Sequence, residues 1–569
     1  MRVASPAVRL LVLVLVGLVV APWSAHATGW PSLHQQLTDA PAAPGTALAR
    51  LIAHYQDVSR LDPREASDNL GLAPWLRLLW RASFPAWRYQ PSDPSGGYPR
   101  VLHEVGEWMT SHPDLRPGTI GIGSTGRDDD ERGASLPDSA SVGANQRVSD
   151  PRFIRAEQDV RIDFWHPDRV IAASNNLSGA GAQAQYSSSD GGTTWSESLL
   201  PFFAGDLFHS DPAVDWTSDG AAWSATLGIQ LDFSHPQPRL KAIRTRVYRS
   251  NDGGRSWAYD STASARQIDN DKELIWVDHS STSPFADTLY ACWHDGNPAF
   301  VARRSSATGK WSKPVQVSGA ETLGTAIGCD VKSNSAGDAF VFYPGTGSHT
   351  LAVAKSTDGG ATWAAPVVVT HTLDSYDIGI PSFKLRRAFI YATGGAYRSA
   401  TVDQVYVAWI DLKGGAGCSG PQDEPNGRVD SPCTTRIWFA RSTDGGAHWQ
   451  APIKLQDAAT RNDQFNPWLA VDEATGALGV MYYDTAADPG RKRADVYFQT
   501  SSDGGSTWSS PVKVTTASTD ETRVPGQANS FQFGDYNAMS AWMGRFLPFW
   551  TDRRDGGKEQ VWTAPVDVP

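Results

Sequence analysis

The chain has 569 residues, four cysteines and a formal net charge of −11. With 50 Lys and Arg set against 61 Asp and Glu, there is no basic surplus to neutralise phosphates, which argues against nucleic acid as a partner. No C-x-x-C pattern joins any two cysteines, so neither a zinc nor a redox motif is supported, and no metal or cofactor is expected.

Residues 1–27 read as an export signal. Arg2 and Arg9 precede an apolar run from Leu10 to Val20, and Ala25-His26-Ala27 is a small-x-small cleavage site. The run is too short to span a membrane, and no later segment reaches about 18 apolar residues. A secreted or periplasmic monomer is therefore expected, and the cysteines fit an oxidising compartment.

Residues 28–114 read as a small helical accessory region. Thr46 can cap a helix with Leu48, Leu51, Ile52 and Tyr55 on one face. Pro74 opens a second with Trp75, Leu78 and Leu79, and Pro99 a third with Val101, Val105 and Trp108. From 115 to 149 Gly, Ser and Asp dominate, as in a flexible linker. Gly121, Gly123 and Gly126 fit the spacing of a dinucleotide loop but neither follow a strand nor open a helix. Asp128-Asp129-Asp130-Glu131 reads as a solvated tether.

Residues 150–569 repeat. Five copies of one phrase begin at Ser188, Ser250, Ser356, Ser442 and Ser501 and end at Trp195, Trp257, Trp363, Trp449 and Trp508. A sixth, Ser305 to Trp311, has Ala307 in place of the Asp. Asp-Gly-Gly supplies the positive φ of a tight hairpin, Ser and Asp bond the turn's own amides, and the Trp carries apolar surface into the seam between units. A weaker phrase opens an inner strand before each apolar strand, at Asp159, Asp211, Asp271 (with Lys272 and Glu273), Cys329-Asp330, Gly379–Phe383, Asn466 and Asp535 (with Tyr536). Seven strand pairs point to seven blades, with Gln146–Ser149 placed to close the last one. Cys418 and Cys433 bracket a Gly-, Pro- and Asp-rich loop and are expected to pair, worth about 3 kcal/mol. Cys292 and Cys329 lie on consecutive units, and their pairing is left open.

The phrase S-x-D-G-G-x-[ST]-W resembles the Asp-box, or BNR, repeat of the sialidase-like β-propellers. The resemblance implies an all-β propeller, which the helical region read above would precede. Sialidases have six blades, so six is the alternative to seven. In that family the boxes sit on outer hairpins, which makes Asp190, Asp252, Asp358, Asp444 and Asp503 structural. Sialidases use an Arg triad against the sugar carboxylate, a Tyr nucleophile activated by Glu, and an Asp acid or base. The Arg-Ile-Pro phrase that carries their first Arg is absent here.

Position alone nominates the rest. Asp211 becomes the acid or base, Glu273 and Tyr536 the nucleophile pair, and Arg161, Arg461 and Arg523 the clamp. Asp271, Asp330 and Asp535 are the remaining funnel carboxylates that would bind substrate. Crowded carboxylates raise one another's pKa, which suits an acid; the structural alternative is that each caps the loop entering its own strand. His209, His279 and His294 read as loop or core histidines. His103-Glu104-Val105-Gly106-Glu107 lacks the second His of a zincin, and no G-x-S-x-G elbow occurs. The expected function is an exported propeller that binds a glycan on its channel face, as an exo-acting glycoside hydrolase in its catalytic form. The alternative is a non-catalytic propeller that binds protein or polysaccharide through rim loops, the Cys418–Cys433 insertion among them.

Overall fold

The computed structural model describes residues 140–177, 182–206, 208–232, 239–383, 386–457, 460–522, 532–554 and 558–568. The signal at 1–27, the helices expected within 28–114 and the linker up to 139 lie outside the described residues, as does Arg523. The described chain is all-β. Six four-stranded antiparallel sheets are built by consecutive strands pairing in chain order, and a seventh, six-stranded sheet combines strands from both ends of the described chain. Their inner strands are Arg155–Ile162, Phe208–Trp216, Asn270–Val277, Asp330–Ser333, Thr393–Arg398, Gln464–Val471 and Ala538–Trp542. Each packs beside the next and the seventh beside the first, so the ring is closed with seven blades.

The closing strand falls where expected. Gln146 and Arg147 pair with Thr563 and Trp562 as the outer strand of blade 7, and Ser141–Val142 pairs with Val566–Asp567. The end of the stretch read as linker is thus part of the ring. One inner strand was misplaced. Gly379–Phe383 belongs to an insertion between blades 4 and 5, and the inner strand of blade 5 is Thr393–Arg398. Its Gly394-Gly395 imitates a turn in sequence. Both glycines are there for space, because a Cβ on Gly394 would lie 2.1 Å from the Phe342 ring and one on Gly395 2.5 Å from Val471.

The boxes sit on the turns between third and fourth strands. Ser188 Oγ donates to Asp190 Oδ1 at 2.7 Å, and the same oxygen accepts the Thr193 and Thr194 amides. Ser and Asp repeat this bond at Asp252, Asp358, Asp444 and Asp503. The Thr362 hydroxyl and amide hold the Asp358 carboxyl down at about 2. The box tryptophans fill seams between blades: Trp195 meets Phe549 of blade 7 edge-on, and Trp508 meets Phe439 of blade 5. Cys418 pairs with Cys433, and Cys292 with Cys329.

Adjacent inner strands do not form a ladder with each other, so their channel-side amides need other acceptors. Side chains of the neighbouring blade supply them. Asp159 Oδ2 accepts the Val214 amide at 2.8 Å, Asp215 Oδ2 that of Val277 at 2.7 Å, and Asp330 Oδ2 that of Gly394 at 2.8 Å. Thr393 Oγ1 serves Leu469, and Ser540 Oγ serves Ile162. The carboxylates that do structural work thus cap the next blade's strand, where capping of their own had been expected.

Candidate functional site

Four inner strands enter the channel through a bulge whose pivot is a non-glycine residue in the left-handed region: Glu157 (φ 54°), Asp211 (52°), Lys272 (48°) and Asn466 (45°). In blades 4 and 7 the residue at the corresponding entry is Gly328 or Gly534, also at positive φ. The bend therefore belongs to the fold and glycine would make it freely. The four side chains are kept at roughly 1–2 kcal/mol of backbone strain each. Eight other non-glycine residues share this conformation elsewhere among the described residues, but these four lie together at one mouth of the channel.

Around them gather Asp271, Glu273, Asp535, Tyr536 and Arg386, none more than 4% exposed. Asn175 ties two blades together, its Oδ1 accepting the Asp211 amide and its Nδ2 donating to Glu157. Glu157 Oε1 accepts the Asp535 amide at 2.9 Å. Ser210 Oγ donates to Asp211 Oδ1. Arg386 pairs with Asp535 and lies 3.5 Å from Glu157.

Four groups are left over. Lys272 Nζ, Tyr536 Oη and Asn466 Oδ1 have no hydrogen-bond partner, and the Glu273 carboxyl reaches nothing beyond its own backbone amide. The Lys272 ammonium lies 3.4 Å from the Tyr536 ring centroid and 5.5 Å from that of Tyr391.

Burial, followed by the charge of Asp211, lifts the Glu273 carboxyl well above its ordinary range. Burial and then Asp211, Glu157, Glu273 and Asp535 do the same to the Tyr536 hydroxyl. Both shifts favour the protonated form, in which each group is a donor.

The mouth is covered. The insertion between blades 4 and 5 forms a small two-stranded sheet, Asp377–Ile378 with Ala388–Phe389. It crosses to the far rim, where Arg386 meets Asp535 and Glu157, Phe383 packs on Phe465 and Phe533, and Ser382 Oγ donates to the Arg491 carbonyl. Beneath it a cavity of about 20 Å³ is lined by Lys272, Phe389, Tyr391, Asn466, Asp535 and Tyr536, room for one or two waters.

Asp211, Glu273 and Tyr536, nominated from three different blades, thus meet, together with Asp271 and Asp535. The other nominees lie elsewhere. Asp330 is held by Gly394 and Lys332. Arg461 is exposed and bonds the Asp430 carbonyl. Arg161 lies toward the opposite mouth, 3.3 Å from Asp215 and 4.6 Å from the Trp276 ring.

That opposite mouth is plugged. His279 Nε2 lies 2.8 Å from Asp215 of blade 2 and its Nδ1 3.0 Å from Glu473 of blade 6, so the imidazole bridges the channel. Phe164 packs edge-on against it and stacks on Trp542. Glu157 and Arg386 were not nominated, while Lys272 and Asn466 were placed at the strand openings without a role of their own. Only Pro212 and Pro467, which follow two of the bulge pivots, hint at an irregular backbone.

A family model described as a BNR repeat-like domain matches residues 427–544. A xyloglucanase from Paenibacillus sp is 28% identical over 295 residues, 48% of this chain and 25% of the relative, so the match spans a quarter of that protein's length. A protein of unknown function from Dyadobacter fermentans aligns with 76% of this chain and 100% of its own at 12% identity, TM-score 0.37. An α-L-arabinofuranosidase from Fusarium graminearum aligns over 63% and 92% at 12% identity, TM-score 0.39. An intramolecular trans-sialidase from Ruminococcus gnavus aligns over 73% and 94% at 13% identity, TM-score 0.36.

Proposed function

Taking the chain as a sialidase-like BNR-repeat β-propeller, we propose that it acts on glycans at the mouth where its inner strands begin, as a glycoside hydrolase. The observation that carries this reading is the meeting of Asp211, Glu273 and Tyr536 from three blades, with burial favouring the protonated form of Glu273 and Tyr536 and no other side chain bonding either of them. A buried, neutral carboxyl beside an ionisable one is the arrangement glycoside cleavage needs. Glu273 protonates the departing oxygen as the anomeric C–O bond breaks, Asp211 faces the positive charge that develops on the sugar, and a water adds to the anomeric carbon and returns its proton to the Glu273 carboxylate. Tyr536 donates a hydrogen bond to the ring that is held. This exchanges the roles first assigned by position, because a carboxyl kept neutral by burial is an acid before it is a base.

The partial match to a xyloglucanase supports carbohydrate as the substrate class. Two disulfides support an oxidising, extracytoplasmic location, in keeping with the export signal. No helix among the described residues is long and apolar enough to cross a membrane.

The test is release of reducing ends from a panel of polysaccharides and fluorogenic glycosides by the purified protein. Glu273→Gln should lower turnover by roughly 10²–10⁴-fold with the fold intact by thermal melt; full activity in that variant ends the assignment. One observation favours a second reading, a non-catalytic binding propeller: the cavity at the mouth has the volume of a water or two. Binding of a polysaccharide with no release of ends from any substrate would select it.

A further inference from the structure

We infer that the insertion between blades 4 and 5 is a lid: its tip, which carries Ser382, Phe383 and Arg386, lifts off the far rim to admit substrate while its arms stay braced on the Cys418–Cys433 loop. The part this plays in turnover rests on the glycan reading above; the motion itself does not. A space for one or two waters cannot take a sugar ring. The groups at the mouth therefore meet a glycan only when the cover is displaced.

The contacts divide the insertion in two. On the near side the Leu373 and Asp374 amides donate to the Asp411 carboxylate of blade 5. Arg387 pairs with Asp377 and with Glu424 of the disulfide-braced loop. Glu424 also accepts the Gly379 amide, and the Gly427 amide donates to the Gly379 carbonyl. Tyr376 and Phe389 pack with Ile327 in a cluster apart from the main core. Both arms of the small sheet are thus tied down. On the far side Arg386 meets Asp535 and Glu157, its amide donates to Gln532 Oε1, Phe383 packs on Phe465 and Phe533, and Ser382 bonds the Arg491 carbonyl. Consecutive arginines mark the boundary, Arg387 facing the root and Arg386 the far rim. The two strands of the insertion pair only with each other, so the tip can leave without breaking a blade's ladder.

The far contacts suit a reversible latch. Attraction within a buried ion pair is largely offset by the desolvation of its partners, so parting them into water with both charges intact costs little. Apolar burial of Phe383 is then the main resistance to opening. Lifting the tip also lets water reach Lys272 Nζ, Tyr536 Oη and Asn466 Oδ1, whose desolvation without partners burdens the closed form.

The test acetylates the full-length native protein with an N-hydroxysuccinimide ester and follows each lysine by mass spectrometry. Lys272 lies under the lid. Lys332, also buried, lines the cavity toward the opposite mouth and pairs with Asp330, so it reports opening of the ring itself. Lys272 should react faster than Lys332 in the wild type. Phe383→Ala should raise the Lys272 rate at least ~10-fold, the loss of two aromatic contacts, with Lys332 unchanged. The milder Ser382→Ala should raise it about 5-fold. Affinity scales with the open fraction, so the KM of any polysaccharide that is turned over should fall by the factor that labelling rises. Slow labelling of Lys272, equal to that of Lys332 in the wild type and in both variants with native melts, overturns the lid. Fast labelling of both lysines means that the ring opens and overturns it as well. Faster labelling with KM unmoved overturns the part in turnover. Faster labelling with neither binding nor turnover across the polysaccharide panel ends the glycan reading and leaves the lid standing.

Discussion

Replacing His279 by Gln tests the pin at the plugged mouth. Burial alone would make the imidazole easier to deprotonate, but Asp215 and Glu473 outweigh it and bring the group from 6.5 up to about 9. A rise of about 2.5 pH units, at 1.36 kcal/mol each, is worth about 3 kcal/mol of folded-state stability. The folded form holds the proton more tightly than the unfolded one. This contribution is therefore complete below about pH 6.5, declines as pH rises, and is gone above about pH 9. Gln is uncharged throughout, so the gap between wild type and His279→Gln isolates the histidine. Other groups that titrate in the window cancel, among them Asp374 and Glu559, which burial lifts to about 7. For a ring of roughly 420 residues, 3 kcal/mol corresponds to about 3 °C in Tm. Scanning fluorimetry should show a gap of that size near pH 6 that closes by about pH 9.5. A gap independent of pH, or one that widens in alkali, refutes the reasoning.

Strain at the bulges predicts a reversal of the usual order of small residues. Lys272→Gly should melt above Lys272→Ala, by about 1 kcal/mol, because glycine adopts φ 48° without a Cβ penalty. At Leu274, in ordinary strand geometry, the order should be the normal one, and denaturant titration of the four variants reads both. Removing the bridge over the 15-residue separation between Cys418 and Cys433 with serines should cost about 3 kcal/mol, measured by the shift in denaturation midpoint. Gly394→Ala should destabilise by about 3 kcal/mol or prevent folding, since its Cβ would lie 2.1 Å from the Phe342 ring; soluble yield and melt report it.

The ring was legible because its information is local and repeated. Each box writes its own turn, and the seven strand pairs, one more than the six boxes, count the blades whichever loops lie between them. The Gln146 strand could be placed because one blade lacked its outer edge. What escaped was information that lives between blades. Asp159, Asp215 and Asp330 look alike in sequence to Asp211, yet three of them bond a neighbour's amide and one faces the mouth. The difference is a bulge, and a left-handed lysine or aspartate carries no compositional mark as a glycine does. Arg386 was invisible for another reason. It comes from an insertion outside the repeat, and its partners are Glu157 and Asp535, 229 and 149 positions away.

The clasp that completes blade 7 has a kinetic consequence. Ser149 bonds Gln560 across 411 positions, so the strand made first has no partner until synthesis is nearly finished. Loop-closure entropy on that scale must be met before the contact rewards it, which makes ring closure a late and slow event. Meanwhile the nascent chain carries an open sheet edge at each end, the condition that invites pairing with another copy. Refolding yield should therefore fall with protein concentration more steeply than native stability would suggest.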